Sequence, residues 1–316
     1  MPRMLNLLIL ILMGLLTACS PQNNSQTTHQ QSGTSPSTPP FVIGAIPDQD
    51  PEKLQRLYGD LAAYLSEKLG VPVEYKPVTD YTAAVTAFRV GDLDMVWFGG
   101  LTGVQARLQV PGAQALVQRD IDAEFHSIFI ANTSTGLQPI ADTDEWDVVR
   151  EKLGALKGHT FTFGSESSTS GRLMPQYFLS QAGIELTDFK GEPGFSGSHD
   201  KTIELVTAGA YDAGVLNEQV WYSRLQTGDV DLAKVQAIWR TPAYHDYHWV
   251  IHPDVITRYG TDFPQKVTDA FTALNAADST QAKILDMFGA TQFIPTTNAN
   301  YDHIEAVGRQ IGKIVD

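Results

Sequence analysis

Apolar positions in the chain follow two rhythms. A short run, Phe41 to Ile46, leads through Pro47-Asp48-Gln49-Asp50-Pro51 to Leu54, Leu57, Tyr58, Leu61, Leu65 and Leu69. That order predicts a strand, a loop and an amphipathic helix. Asp50 stands at the N-cap position with Pro51 in the first turn, and Gly70 and Pro72 close the other end. Val73 to Tyr75 reads as a strand, Tyr81 to Val90 as a helix capped by Asp80, and Leu93 to Phe98 as a buried strand. Strands alternating with helices place the chain in the α/β class.

The pattern then recurs. His159 to Phe163 reads as a strand, Leu173 to Ala182 as a helix stopped by Gly183, and Lys201 to Ala208 as a second helix stopped by Gly209. Both halves close on Gly-x-x-Asp before an apolar strand, Gly91-Asp92-Leu93-Asp94 in one and Gly209-Ala210-Tyr211-Asp212 in the other. The aspartate lies 48 residues after the leading strand in the first half and 49 in the second. Two α/β lobes of similar plan fit this spacing. Further apolar stretches at Gln236 to Trp239 and Trp249 to Ile251, then helical patterns at Phe263 to Leu274, Ala282 to Phe288 and Ile304 to Ile314, suggest that the chain returns to the first lobe. The expected division is 41–131 plus 242–316 for lobe one and 132–241 for lobe two. Its crossings fall near Ala131-Asn132-Thr133 and Arg240-Thr241-Pro242, about which two lobes could close on a ligand.

The N-terminus changes the picture of where the protein works. Arg3 precedes an aliphatic run from Leu5 to Leu16 that is short for a membrane span, and Leu16-Thr17-Ala18-Cys19 follows. This resembles a lipoprotein signal peptide (1–18) whose Cys19, the sole cysteine, becomes the lipidated first residue. Ser20 to Pro40 contains no aliphatic or aromatic side chain and reads, with Cys19, as a flexible tether over 19–40. The expected location is therefore extracytoplasmic, with the body held to a membrane through the lipid at Cys19.

Composition adds exclusions. With 42% hydrophobic residues the chain is neither disordered nor a polytopic membrane protein. Its 22 Lys+Arg against 36 Asp+Glu give a net charge of −14, with no basic run to meet a nucleic-acid backbone.

Candidate chemistry lies in loops between strand ends and helix starts, where an open α/β sheet binds its ligand. The richest is Gly164-Ser165-Glu166-Ser167-Ser168-Thr169-Ser170-Gly171. Ser168, Thr169 and Ser170 bring hydroxyls, and the N–H groups and dipole of the following helix favour an anion. The loop lacks the lysine of a P-loop, and no other cofactor motif is present. The second loop, Gly194 to Asp200, places His199 near a helix start as a donor to an oxyanion, and in lobe one Tyr81 stands at the equivalent place. Each also has an ordinary reading, as a cap or a packed side chain. A hydrolase is disfavoured because no Gly-x-Ser-x-Gly elbow occurs. A zinc site is disfavoured because His245, His248 and His252 do not converge along a strand.

At these residues the sequence resembles the phosphonate-binding proteins of bacterial ABC importers, a branch of the two-lobed periplasmic binding proteins of type II. The likeness runs from about Phe41 to Ile311 and rests on Thr79-Asp80-Tyr81, Ser168-Thr169-Ser170-Gly171 with Pro175, and Ser198-His199-Asp200. It implies a mainly parallel sheet in each lobe, no catalysis, and an ABC permease with its ATPase as partners. It also implies Tyr81, Ser168, Thr169 and His199 as anion ligands, Phe125 in place of a family tyrosine, and Glu218 and Asp246 near the positions that hold a ligand ammonium group. Trp97-Phe98-Gly99-Gly100 and Tyr244-His245-Asp246-Tyr247-His248 look more like a subgroup proposed to bind selenate-like oxyanions. Phosphonate, phosphite, phosphate and selenate all suit such donors, and an acceptor such as Asp246 would separate them by taking a P–OH proton that selenate lacks. A sensory module for a membrane kinase would use the same cleft.

Overall fold

The computed structural model describes residues 39–142 and 145–315. The apolar leader, Cys19 and nearly all of the tether lie outside the described residues. Among these, no helix is long and apolar enough to cross a membrane.

Local signals act where the pattern places them. The Asp50 side chain accepts the Lys53 N–H at 2.9 Å to start α1 (Pro51–Leu69), and Gly70 ends that helix in the left-handed region at φ 68°. Asp80 caps α2 (Tyr81–Arg89) by accepting the Ala83 N–H at 2.7 Å. With β1 (Phe41–Ala45), β2 (Val73–Tyr75), β3 (Met95–Phe98), α3 (Gly100–Gln109) and β4 (Gln114–Arg119) these build the start of the first lobe. The second lobe contains β5 (Ser127–Asn132), α4 (Trp146–Leu153), β6 (Phe161–Phe163), α5 (Met174–Gln181), β7 (Gly194–Phe195), α6 (His199–Thr207), β8 (Ala213–Asn217), α7 (Glu218–Thr227) and β9 (Val235–Arg240). The chain then returns through β10 (His248–Ile251), α8 (Val255–Tyr259), α9 (Phe263–Thr272), α10 (Ser279–Phe288), β11 (Phe293–Pro295) and α11 (Asp302–Gln310).

Two sheets result, ordered β11-β4-β10-β3-β1-β2 and β7-β6-β8-β5-β9. In each, the leading strand pairs in parallel with its two neighbours, and one strand arriving from the other lobe inserts antiparallel: β10 in the first sheet, β5 in the second. The strands that run with the leader remain the majority in both sheets.

The first expected crossing needs correction. Ser127–Asn132 lies in the second sheet, paired with β8 and β9, so the chain changes lobes over residues 120–126 and not at Ala131-Asn132-Thr133. The apolar run Ile128-Phe129-Ile130-Ala131 ends where a break was expected, but the crossing precedes it. The return runs over residues 241–247. The two crossings are tied by a Phe125–Tyr244 bridge, with Phe125 N–H to Tyr244 O at 2.8 Å and Tyr244 N–H to Phe125 O at 2.9 Å.

The repeated aspartates have one job in both lobes. The Asp94 carboxylate accepts the Val42 N–H at 2.9 Å in β1, and Asp212 accepts the Thr160 N–H at 2.9 Å just before β6. Their carbonyls accept the N–H groups of His252, just after β10, and of Asn132, the last residue of β5, at 2.8 Å. Asp94 is fully buried and paired with Arg258, whereas Asp212 is partly exposed. Removing one partner of a buried pair costs about 3–5 kcal/mol, and a lost exposed hydrogen bond about 1 kcal/mol. Asp94→Ala should therefore lower the thermal midpoint severalfold more than Asp212→Ala in scanning calorimetry of the body.

Candidate functional site

Four pieces of chain meet between the lobes: the turn after β6, the start of α6, the second hinge crossing and the start of α3. The turn is unusual. Ser168 caps it by accepting the Gly171 N–H at 2.9 Å, and Thr169 to Leu173 then form one π-helical turn in which the Leu173 N–H reaches Ser168 O at 3.0 Å. Such widened turns are frequent at functional sites. The N–H groups of Thr169 and Ser170 stand in its first turn, without intrahelical acceptors. Gly171 is required here, since a Cβ would lie 3.1 Å from Gly164 Cα and 3.3 Å from His199 Cε1.

Lobe one meets this turn directly. The Leu101 N–H donates to Thr169 Oγ1 at 2.9 Å, and the Gly100 N–H donates to Asp246 Oδ1 at 2.8 Å. Gly99, which begins α3, has room for no side chain: its Cβ would lie 3.1 Å from Thr169 Oγ1 and 3.2 Å from Asp246 Oδ1. The Cβ positions of Gly99 and Gly171 thus bracket one cluster made of Ser168, Thr169, His199 and Asp246. Other bonds cross the cleft at its mouth, from the His199 N–H to Asp48 O at 3.1 Å, the Asp50 N–H to Asp200 Oδ2 at 3.0 Å, and Lys313 Nζ to Glu166 at 2.9 Å. The lobes are closed.

The polarity of the cluster is set by its bonds. Ser168 Oγ already accepts a backbone N–H, which leaves its proton free to donate. His199 Nδ1 accepts the Asn217 N–H at 3.3 Å, so the proton of the neutral ring sits on Nε2, which meets Tyr247 Oη at 3.1 Å. Burial lowers the His199 pKa to about 4, so the ring is neutral at pH 7. Tyr81 Oη, Ser170 Oγ and Asp246 Oδ2 are buried, with Tyr81 in reach of Ser168 and Ser170 in reach of Asp246, and none makes a well-formed hydrogen bond. Burial and the Asp48 charge hold the Tyr81 phenol well above its usual pKa, so it keeps its proton and can only donate or accept as a hydroxyl. Burial pushes Asp246 up to about 7, against the pull of the Gly100 N–H and the neighbouring hydroxyls. Ser168, Ser170 and Tyr81 are thus neutral hydroxyl donors, His199 spends its one ring N–H on Tyr247, and Asp246 is a carboxyl able to give or take one proton. This set suits a small oxyanion bearing a hydroxyl, held by hydroxyls and helix-start N–H groups.

Six of the seven ligand positions expected from sequence are brought together: Tyr81, Ser168, Thr169, Ser170, His199 and Asp246. Glu218 is not, because Arg240 takes both of its carboxylate oxygens, at 2.6 and 3.1 Å. Its charge is met by an ion pair with Arg240 at 2.6 Å. Phe125 is buried beside Tyr247 with ring centroids 5.5 Å apart. His245, His248 and His252 go to different neighbours, Gln118, Tyr301 and Phe88. Sequence reasoning missed Asp48, Asn217 and Tyr247 as members of the site. Tyr247 accepts the Asn217 side-chain N–H at 3.2 Å, and its hydroxyl moderates the pKa of buried Asp48, which burial lifts to about 6.

Comparison with known proteins identifies the family. The family described as "ABC transporter, phosphonate, periplasmic substrate-binding protein" matches residues 43–301. The chain is 47% identical over 273 residues to a protein of Prochlorococcus marinus (strain MIT 9301) named "Probable ABC transporter phosphite binding protein PhnD1", covering 86% of this chain and 90% of that one. The solved structure of PhnD1 from that organism in complex with methylphosphonate aligns with a TM-score of 0.82 at 46% identity, over 87% of this chain and 98% of the other. A phosphate-import protein PhnD of Mycolicibacterium smegmatis is 24% identical over 312 residues, 93% of this chain and 91% of its own length. The chain belongs to the family of periplasmic phosphonate substrate-binding proteins of ABC transporters.

Proposed function

We propose that the protein is the receptor of an ABC importer for a small phosphorus oxyanion without an amine, of the phosphite or methylphosphonate kind. The observation that carries this reading is the closed cluster of Tyr81, Ser168, Ser170 and Asp246, in which three buried polar atoms make no well-formed hydrogen bond, while Glu218 is paired with Arg240. The two Prochlorococcus comparisons, one by name and one by bound ligand, support the same ligand class. In this reading lobe two binds the oxygens first, and closure brings Tyr81, Gly100 and Leu101 of lobe one over them. The ligand is released unchanged to a permease driven by its ATPase. Cys19 carries the lipid that keeps the body at the outer face of the membrane, and residues 20–40 serve as the tether.

A net charge of −14 does not oppose capture of an anion. The donors act at about 3 Å, whereas exposed charges are screened beyond about 8–10 Å. Asp246 favours a protonated phosphorus ligand over selenate or sulfate, which present only acceptors to a carboxyl group.

Calorimetric titration of the body with phosphite, methylphosphonate, 2-aminoethylphosphonate, phosphate, selenate and sulfate should rank phosphite or methylphosphonate first. His199→Ala should weaken that ligand at least tenfold. Selenate in first place would move the protein to a selenium-oxyanion role, and no heat with any anion would remove the oxyanion reading.

The pH dependence of stability has a defined sign. Asp246 has a higher pKa in the closed protein, about 7, than in an unfolded chain, about 4. Its contribution is therefore fully present below about pH 4 and is lost as pH rises through about 7. Asp246→Asn removes that loss, so its thermal midpoint should exceed that of the wild type most at pH 8 and less at pH 5. An advantage that grows towards acid pH would contradict the assignment.

A further inference from the structure

The anion cluster carries no cation of its own. Among the described residues its side chains are hydroxyls, a neutral imidazole and the Asp246 carboxyl, and no lysine or arginine bonds any of them. An anion held beside Asp246 brings negative charge into a buried place, and buried charge is costly unless something balances it. The balancing charge must then lie beyond hydrogen-bond reach.

Arg172 is a buried cation without a partner. It is 5% exposed, and its Nε and Nη1 have no hydrogen-bond partner among the described residues. The guanidinium carbon lies 4.2 Å from the Phe163 ring centroid and 5.3 Å from that of Phe195, at the ends of β6 and β7. Of the acids, Glu166 acts on it, but that carboxylate is mostly exposed and bonded to Lys313 at 2.9 Å. Burial lowers the Arg172 pKa to about 10, which leaves the group charged at neutral pH. Arg172 is also the fourth residue after the Ser168 cap, at the end of a helix where the dipole is positive and a cation is disfavoured. A negative charge at that helix start relieves both the isolation and the dipole. The cluster is adjacent: the preceding residue, Gly171, has a Cβ position 3.0 Å from Ser168 Oγ and 3.3 Å from His199 Cε1.

We infer that Arg172 is the counter-charge of the site, a guanidinium that bonds no member of the cluster but balances through space the negative charge that the anion and Asp246 carry together, and so favours a phosphonate over a singly charged anion of the same shape. The inference rests on the oxyanion reading above and adds the ligand charge that the site selects. Coulomb energy is proportional to charge, so a tenfold effect on two negative charges corresponds to about threefold on one.

The test is calorimetric titration at pH 8 of wild type, Arg172→Met and Arg172→Lys with methylphosphonate and with methanesulfonate, by competition where binding is weak. The two ligands have one shape. A phosphonate and the Asp246 carboxyl share one proton and carry two negative charges between them, whereas methanesulfonate beside a protonated Asp246 carries one. Arg172→Met should weaken methylphosphonate at least tenfold and methanesulfonate about threefold, and Arg172→Lys, which keeps the charge, should stay within about threefold of wild type for both. Ligand-free Arg172→Met should melt no lower than wild type in scanning calorimetry, because an apolar chain replaces an unpaired buried charge. Equal losses for the two anions, an unchanged methylphosphonate affinity in Arg172→Met, or a lysine variant as weak as the methionine variant overturns the inference. If wild type refuses methanesulfonate, the comparison of lysine with methionine decides. Wild type that binds neither methylphosphonate nor phosphite overturns the oxyanion reading instead.

Discussion

A hydroxyl or carboxyl taken out of water costs about 1–3 kcal/mol unless something bonds it. This protein buries Tyr81 Oη, Ser170 Oγ and Asp246 Oδ2 without a well-formed hydrogen bond, around one cluster between its lobes. Other features of the cleft follow from keeping those groups there. Gly99 and Gly171 remove side chains that would fill the spot, the π-helical turn swings Thr169 towards Leu101, and the hinge bridge sets the register that puts Asp246 beside Gly100. An oxyanion that satisfies these atoms stabilises the closed arrangement by the amount that their isolation would cost, which couples binding to closure.

The scaffold that holds the site is a duplicated plan. Asp94 and Asp212 lock the leading strands of the two sheets by the same backbone bond, and β10 and β5 are the exchanged strands that follow the crossings. Each lobe therefore presents helix starts to the same cleft: α2 and α3 from one side, α6 and the turn before α5 from the other. The neutral donors need this convergence, because a single helix start supplies only part of the coordination of an anion.

Local chemistry was legible in the sequence wherever one residue and its neighbours decide the outcome. Asp50, Asp80, Gly70 and the Gly-x-x-Asp pairs acted as their types predict, and the hydroxyl-rich turn lies where the two lobes meet. Features that depend on contacts distant in the chain were not legible. The π-helical turn is braced by a Leu101–Thr169 bond across 68 residues, and the place of Tyr247 depends on its packing against Trp97, about 150 positions earlier. Glu218 looked like an amine ligand because its position matches one, and only the approach of Arg240 from β9 shows that its carboxylate is occupied. The misplaced first crossing has the same origin, since the strand Ser127–Asn132 reads equally well as the end of one lobe or the start of the next.

The most direct test of the account is a crystal structure of the body with methylphosphonate at a resolution that separates oxygen from carbon. The account predicts closed lobes with the ligand oxygens about 2.5–3.0 Å from the Ser168, Ser170, Tyr81 and Asp246 side chains. Methylphosphonate bound outside this cluster, or held there by Glu218 or by Lys and Arg side chains with the lobes apart, would contradict it.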